Sequence, residues 1–445
     1  MNEEVMHLLE TVADAHPKFN AEFLEREKLF KLVFPKTKFD MQRLRYLATD
    51  LVRLAERFLT IREMERSDFV KRELLLSALA DRHLDKLFES CIQSLKKSQV
   101  DKRETDFKVL LENYLVEERE YMFMNTRKNR VVETNLPQVL SNLDLFYINT
   151  KLKYCCELVN RSNVVASDYS IDLLEEILAH LDKSDYSTVP SISIYKLILL
   201  TLIEPENQEH YFKLMGLLMG HESRFMIDEL RDMYLFAQNY CIKKINSGHP
   251  EFLEELFEIY KLLLDNGGLP DSKYLSPQHF KNIVNVGLRL GKLEWVHDFI
   301  NEFHVKISPA MRENAFTYNM ALYHFHLKEY DKTLELLHQV ELTDVFYAVD
   351  CRFMLLRTYY ELDEVDPLLS LMDAFKVYLR RNKSISEYQK TISKNLLKFV
   401  NRLVKLPPKD PKKLNKLKQE IEQTMEIANR EWLKEKVHEL ENQYA

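Results

Sequence analysis

The chain has 445 residues, of which 46% are apolar and 30% charged, and its net charge is −7. That balance supplies a core and excludes general disorder, and with so modest a negative charge the chain as a whole is not an obvious polyanion binder. Glycine excludes more: there are only 7, none before Gly216, so glycine-rich phosphate loops and hairpin-rich sheets have too few residues suited to positive φ. The expectation is an all-α chain.

The N-terminal residues are acidic and lack a basic segment followed by an apolar core, so no export signal is expected. The greasiest stretch, residues 198–203, falls far short of the roughly 20 residues that span a bilayer. A cytoplasmic protein without membrane insertion is expected. The five cysteines, Cys91, Cys155, Cys156, Cys241 and Cys351, show no CxxC or Cys/His spacing suited to zinc. They are expected to be buried thiols in a reducing compartment.

Residues 1–130 read as a helical N-terminal region. In residues 40–58, Leu44, Leu47, Leu51, Leu54 and Phe58 step by three and four and line one helix face. Asp40 is placed to cap that helix, Phe39 and Leu44 stand at the staple positions, and Pro35 marks the break before it. A charged segment (63–99) and a second helix (104–125) follow. The run Tyr121, Met122, Phe123 and Met124 is expected in the core.

Residues 131–405 read as a helical-repeat region. Breakers at Pro137, 182–190, Pro205, Gly220, 248–250 and 267–270 separate apolar-periodic runs of helical length. Short connections between such runs imply antiparallel neighbours.

The repeat is clearest in residues 277–380. The stretch YNMALYHFHLKEYDKTLELLHQVE (318–341) resembles a tetratricopeptide repeat, two antiparallel helices in about 34 residues. Met320 and Ala321 take the paired apolar and small positions of the first helix, Tyr330 the turn aromatic, and Leu337 and Val340 the core face of the second. Thr333 stands where the family prefers Ala, and His324 where it prefers an aromatic. A following unit carries Leu355, Leu356, Tyr359, Leu368, Met372 and Phe375 on the same template. A preceding one carries Phe280, Ile283, Val284, Gly291, Val296, Ile300 and Phe303, and residues 241–265 fit loosely. The implied architecture is an α-solenoid of antiparallel helix hairpins.

Residues 406–445 are expected to cap the array. Pro407, Pro408 and Pro411 stop the preceding helix. Leu414, Leu417, Ile421, Met425, Ile427, Trp432, Leu433, Val437 and Leu440 then supply one or two amphipathic helices. Trp432 is read as covering the last apolar face, its alternative being an exposed partner anchor. Residues 29–59 and 429–440 also resemble a group of uncharacterised bacterial helical proteins, a likeness that implies no activity.

No Walker loop, GxGxxG, HExxH or GxSxG occurs. No catalytic residue, cofactor or metal is expected, and the chain reads as a non-enzymatic scaffold for a protein or peptide partner. The tetratricopeptide resemblance places the first helix of each repeat on the concave face. Carried over, it nominates Lys281, Asn285, Leu288 and Arg289, then Tyr318, Asn319, Leu322, Phe325 and His326, then Asp350, Phe353, Arg357, Tyr360 and Glu361. Lys281, Asn285 and Asn319 match three positions of the family's carboxylate clamp. Asp350 and Met354 occupy the two that should be basic, so a clamp is not expected. An aromatic-lined groove using Tyr318, Phe325, Phe353 and Tyr360 is expected instead.

The alternative is a nucleic-acid-associated regulator using Arg43, Arg45, Arg53, Arg57 and Arg62. Residues 126–130 (TRKNR) and 405–418, with six lysines against one aspartate, are further basic clusters. No recognised nucleic-acid module accompanies them, so nucleic acid is the less favoured partner.

Overall fold

The computed structural model describes residues 3–16, 19, 24–100, 107–126, 135–165, 170–265, 274–341, 345–407 and 410–444. Among them are twenty-one α-helices, two short 3-10 turns and no strand. The only β-type pairing among them is one isolated parallel bridge, in which the Leu275 N–H donates to the Lys306 carbonyl at 2.8 Å. The chain divides into two compact units, residues 1–226 and 227–445.

The first unit holds α1 (Glu3–Ala13), α2 (Arg26–Val33), α3 (Met41–Arg66), α4 (Asp68–Asp81), α5 (Asp85–Val100), α6 (Phe107–Thr126), α7 (Leu136–Val165), α8 (Leu174–Leu181), α9 (Pro190–Ile203) and α10 (Gln208–His221). Asp40 caps α3 as its sequence predicts, accepting from the N–H groups of Gln42 at 2.8 Å and Arg43 at 3.1 Å. Leu44 and Leu47 then bury against α1 and α2, with Val5, Leu8, Phe30 and Phe34. The predicted stripe outruns this cover, and Leu54 and Phe58 are exposed. Phe39 packs edge-on to Phe30, 5.4 Å between ring centres. The charged segment after α3 forms α4 and α5, whose Leu76, Phe88 and Ile92 make a separate small core with Val116 and Phe123 of α6. Phe123 stacks on Phe88 as a core residue, whereas Met122 and Met124 are exposed. Cys155 and Cys156 are buried on α7, and the Cys156 thiol donates to the Tyr195 carbonyl of α9 at 3.3 Å.

The second unit holds α11 (Ile227–Asn246), α12 (Phe252–Asp265), α13 (Pro277–Arg289), α14 (Leu293–Phe303), α15 (Pro309–His326), α16 (Tyr330–Gln339), α17 (Val345–Glu361), α18 (Val365–Arg381), α19 (Glu387–Val404), α20 (Pro411–Gln423) and α21 (Arg430–Tyr444). Each helix packs on the next. In addition α13 touches α15, α15 touches α17 and α19 touches α21.

One backbone turn recurs four times in this unit. Gly248, Gly291, Lys328 and Asp363 all have positive φ, between 57° and 96°. Each donates its N–H three residues back, and the residue after it donates five back: His249 to Lys244, Lys292 to Gly287, Glu329 to His324 and Glu364 to Tyr359. This is the Schellman closure of a helix, which satisfies the last carbonyls before the chain reverses. Only two of the four carry glycine, so composition hides the pattern. Thr333 and His324, which differ from the tetratricopeptide pattern, have local partners. The Thr333 hydroxyl returns to the Glu329 carbonyl at 3.0 Å. His324 reaches across its turn to the Glu329 carboxylate at 2.6 Å.

The last helices close the unit. Leu414, Leu417 and Ile421 of α20 and Trp432, Leu433 and Val437 of α21 are buried, while Met425 between the helices is exposed. The Trp432 indole donates to Glu361 at 2.7 Å, and the buried Lys436 ammonium meets the same carboxylate at 2.9 Å. Trp432 is therefore an internal residue.

Candidate functional site

The first helices of successive pairs share one face. Counting from the recurring turns, Lys281, Tyr318 and Phe353 are equivalent, as are Asn285, Leu322 and Arg357, and Leu288, Phe325 and Tyr360. A cavity of about 660 Å³ opens on this face, bounded by α13, α15, α17 and α19. Its polar floor is an ion pair between the Lys281 ammonium and the Asp350 carboxylate. Lys281 keeps 10% of its side chain exposed and Asp350 32%. Pairing is what permits a lysine to sit so deep, because an unpartnered buried charge is strongly disfavoured. The Tyr347 hydroxyl donates to the Pro277 carbonyl at 3.2 Å and joins α17 to the start of α13. Apolar walls come from Met311, Phe353 and Ile392, and Gln278 and Gln389 bring side-chain amides.

Asn285 and Arg289 lie instead on a smaller cavity of about 190 Å³, shared with Ile242 and Ile245 of α11. Asn285 donates to the Lys281 carbonyl at 3.0 Å. Tyr318, Asn319, Leu322 and Leu288 are buried. Asn319 donates to the Ala315 carbonyl at 2.7 Å, and its side-chain oxygen has no partner. Burial, and then the Asp350 charge, push the Tyr318 phenol well above its ordinary pKa. Phe325 lies under the Arg357 guanidinium, 4.4 Å from ring centre to the guanidinium carbon. Phe353 meets Phe375 edge-on, and Tyr360 meets Trp432 in the same way. Burial raises the Tyr360 phenol to about 12. His326 is exposed, and Glu361 is engaged by α21. The fold thus gathers Lys281, Asp350 and Phe353 at the larger cavity and Asn285 and Arg289 at the smaller. It turns the remaining nominated residues, His326 excepted, partly or wholly inward.

Sequence reasoning missed Gln278, Met311, Gln389 and Ile392. The first two carry a usable signal: Gln278 is one turn before Lys281, and Met311 lies seven residues before Tyr318 on the same face. Gln389 and Ile392 carry none, because α19 matches no repeat template.

The arginine-bearing helix α3 is electrostatically mixed. Arg43 pairs with Glu4 and Arg53 with Asp50. The cavity beside Arg43 is lined by Glu4, Asp40 and Asp50. Of TRKNR, residues 127–130 lie outside the described residues. Among the described residues no group of three His, Cys, Asp or Glu side chains is placed to hold a metal, and no helix is long and apolar enough to cross a membrane. No protein-family model, curated protein or solved structure matches the chain.

Proposed function

We propose that the second unit is a tetratricopeptide-like solenoid of antiparallel hairpins, and that it captures a peptide or protein segment on the face of α13, α15, α17 and α19. The recurring turn and the contacts between alternate helices support the architecture. The observation that carries the binding reading is the cavity of about 660 Å³ on that face. It offers an apolar socket between Met311, Phe353 and Ile392, flanked by the amides of Gln278 and Gln389. An aliphatic or aromatic side chain fills the socket, and the amides bond its backbone. Because Lys281 and Asp350 neutralise one another, a strongly charged ligand gains little there. The five cysteines form no disulfide and four of them are buried, which supports a reducing compartment.

Peptides selected on the wild-type chain from a random display library test the reading. Met311 is exposed, so Met311→Glu leaves the fold intact and places a carboxylate on the socket wall. Selected peptides should lose at least tenfold in affinity for Met311→Glu and bind Val52→Glu, on α3, as they bind wild type. Equal affinity for Met311→Glu and wild type overturns the assignment.

A further inference from the structure

The chain as a whole is acidic, yet residues 380–418 hold thirteen lysines and arginines against two carboxylates, Glu387 and Asp410. The fold concentrates this excess. Lys390, Lys394, Lys398 and Arg402 recur every fourth residue along α19, a rise of about 18 Å. The row continues into a cleft of about 310 Å³ between α19 and α20, lined by Asn401, Arg402, Lys405, Lys413 and Lys416 with Leu406, Pro407 and Leu417 behind them. The two carboxylates nearest the cleft are already engaged. Glu420 takes both terminal nitrogens of Arg402, and Asp410 caps α20 and pairs with Lys413. Among the described residues no carboxylate lies within ion-pair distance of Lys394, Lys398, Lys405 or Lys416, and all four are exposed. The row and the cleft meet at Arg402, which ends the one and lines the other.

We propose that the α19–α20 cleft and its basic row bind the phosphodiester backbone of a single-stranded nucleic acid without reading its sequence. A linear polyanion meets both the cleft and the row, whereas a single phosphate would leave Lys394 and Lys398 unmatched. A flat anionic bilayer does not enter a cleft. An acidic polypeptide must immobilise long carboxylate side chains, at about 1.5–2 kcal/mol of rotamer entropy for each Glu, whereas a phosphodiester carries its charge on the backbone. The lining is dominated by flexible lysines and holds no aromatic side chain to stack a base, so affinity comes from phosphate neutralisation and counterion release.

Fluorescence anisotropy of the full chain with a labelled mixed-sequence single strand of about twenty nucleotides tests this. Engagement of three or four phosphates predicts a slope of log affinity on log salt of roughly −2 to −3 for a single strand. Lys405→Glu with Lys416→Glu should weaken binding at least tenfold with an unchanged thermal melt, and the two Gln substitutions should weaken it less. Arg53→Glu with Arg57→Glu on α3 should bind as wild type. No binding at about 50 mM salt, or an equal loss in the α3 variant, overturns the proposal. So does binding of polyglutamate or of phosphatidylserine vesicles without binding of the oligonucleotide.

Discussion

Phe58 on α3 and Phe375 on α18 both belong to apolar stripes of helical period, yet the first is 58% exposed and the second fully buried. The contrast extends to the units that hold them. Among the described residues, twenty-seven large apolar side chains stand exposed up to Met226 and nine beyond it. Helices α1–α6 of the first unit bury their apolar residues in two separate small clusters, around α1–α3 and α4–α6, whereas one cluster in the second unit runs from Val349 to Val437 through five helices. Amphipathic pattern is thus a property of a helix alone, and burial is a property of its neighbours. Helices that close on each other through short turns guarantee a neighbour; a 26-residue helix such as α3 does not.

Substitutions that treat the units alike should expose the difference. Both tryptophans, Trp295 and Trp432, lie in the second unit, so indole fluorescence follows its unfolding. Phe375→Ala should destabilise that unit by about 3–5 kcal/mol in a urea titration. Phe58→Ala, followed by circular dichroism, should stay within about 0.5 kcal/mol of wild type. Comparable losses would erase the contrast.

Glycine gives the next largest effect, with opposite signs. A Cβ added at Gly287 of α13 would stand 2.5 Å from a methyl of Val296, so Gly287→Ala should cost about 1–3 kcal/mol. A Cβ at Gly216 of α10 meets nothing within 4 Å, and Gly216→Ala should stabilise the first unit by about 0.5–1 kcal/mol. Hydrogen exchange of the two helices measures both, and two shifts of the same sign contradict the packing described.

The smallest effect is on pH dependence. Burial against α12 lowers the pKa of His279, whose ring meets Tyr260 edge-on at 5.3 Å. Its folded pKa lies below its unfolded value of about 6.5. As pH falls through that value the unfolded chain takes up a proton that the folded one resists, so stability is lost on acidification. The urea midpoint of the second unit should fall between about pH 7 and pH 5, and His279→Gln should flatten the fall. An unchanged slope removes His279 as the cause.

The all-helical class was legible in the scarcity of glycine, and the cap of α3 in Asp40. The proposed repeat rests on small and aromatic residues that keep the template's places from Phe280 to Phe375. The larger cavity was half legible: Lys281, Asp350 and Phe353 follow from the repeat register. Its far wall, Gln389 and Ile392, comes from a helix that only tertiary packing puts opposite them. The inward turn of Tyr360 was hidden for the same reason, because its cover is Trp432, 72 residues away in the chain. Sequence periodicity ranks faces; it does not reveal which partner arrives from a distance.

The carboxylate of Glu361 depends on residues from the end of the chain, through the indole of Trp432 and the ammonium of Lys436. Trp432 follows Glu361 by 71 residues, so during synthesis α17 waits with an unanswered acid until α21 has left the ribosome. A product lacking α21 would leave that acid stranded and remove Trp432, Leu433 and Val437 from the apolar cluster they share with α17–α20. Such a product is a substrate for quality control, and α21 acts as the check that α17 has found its cover.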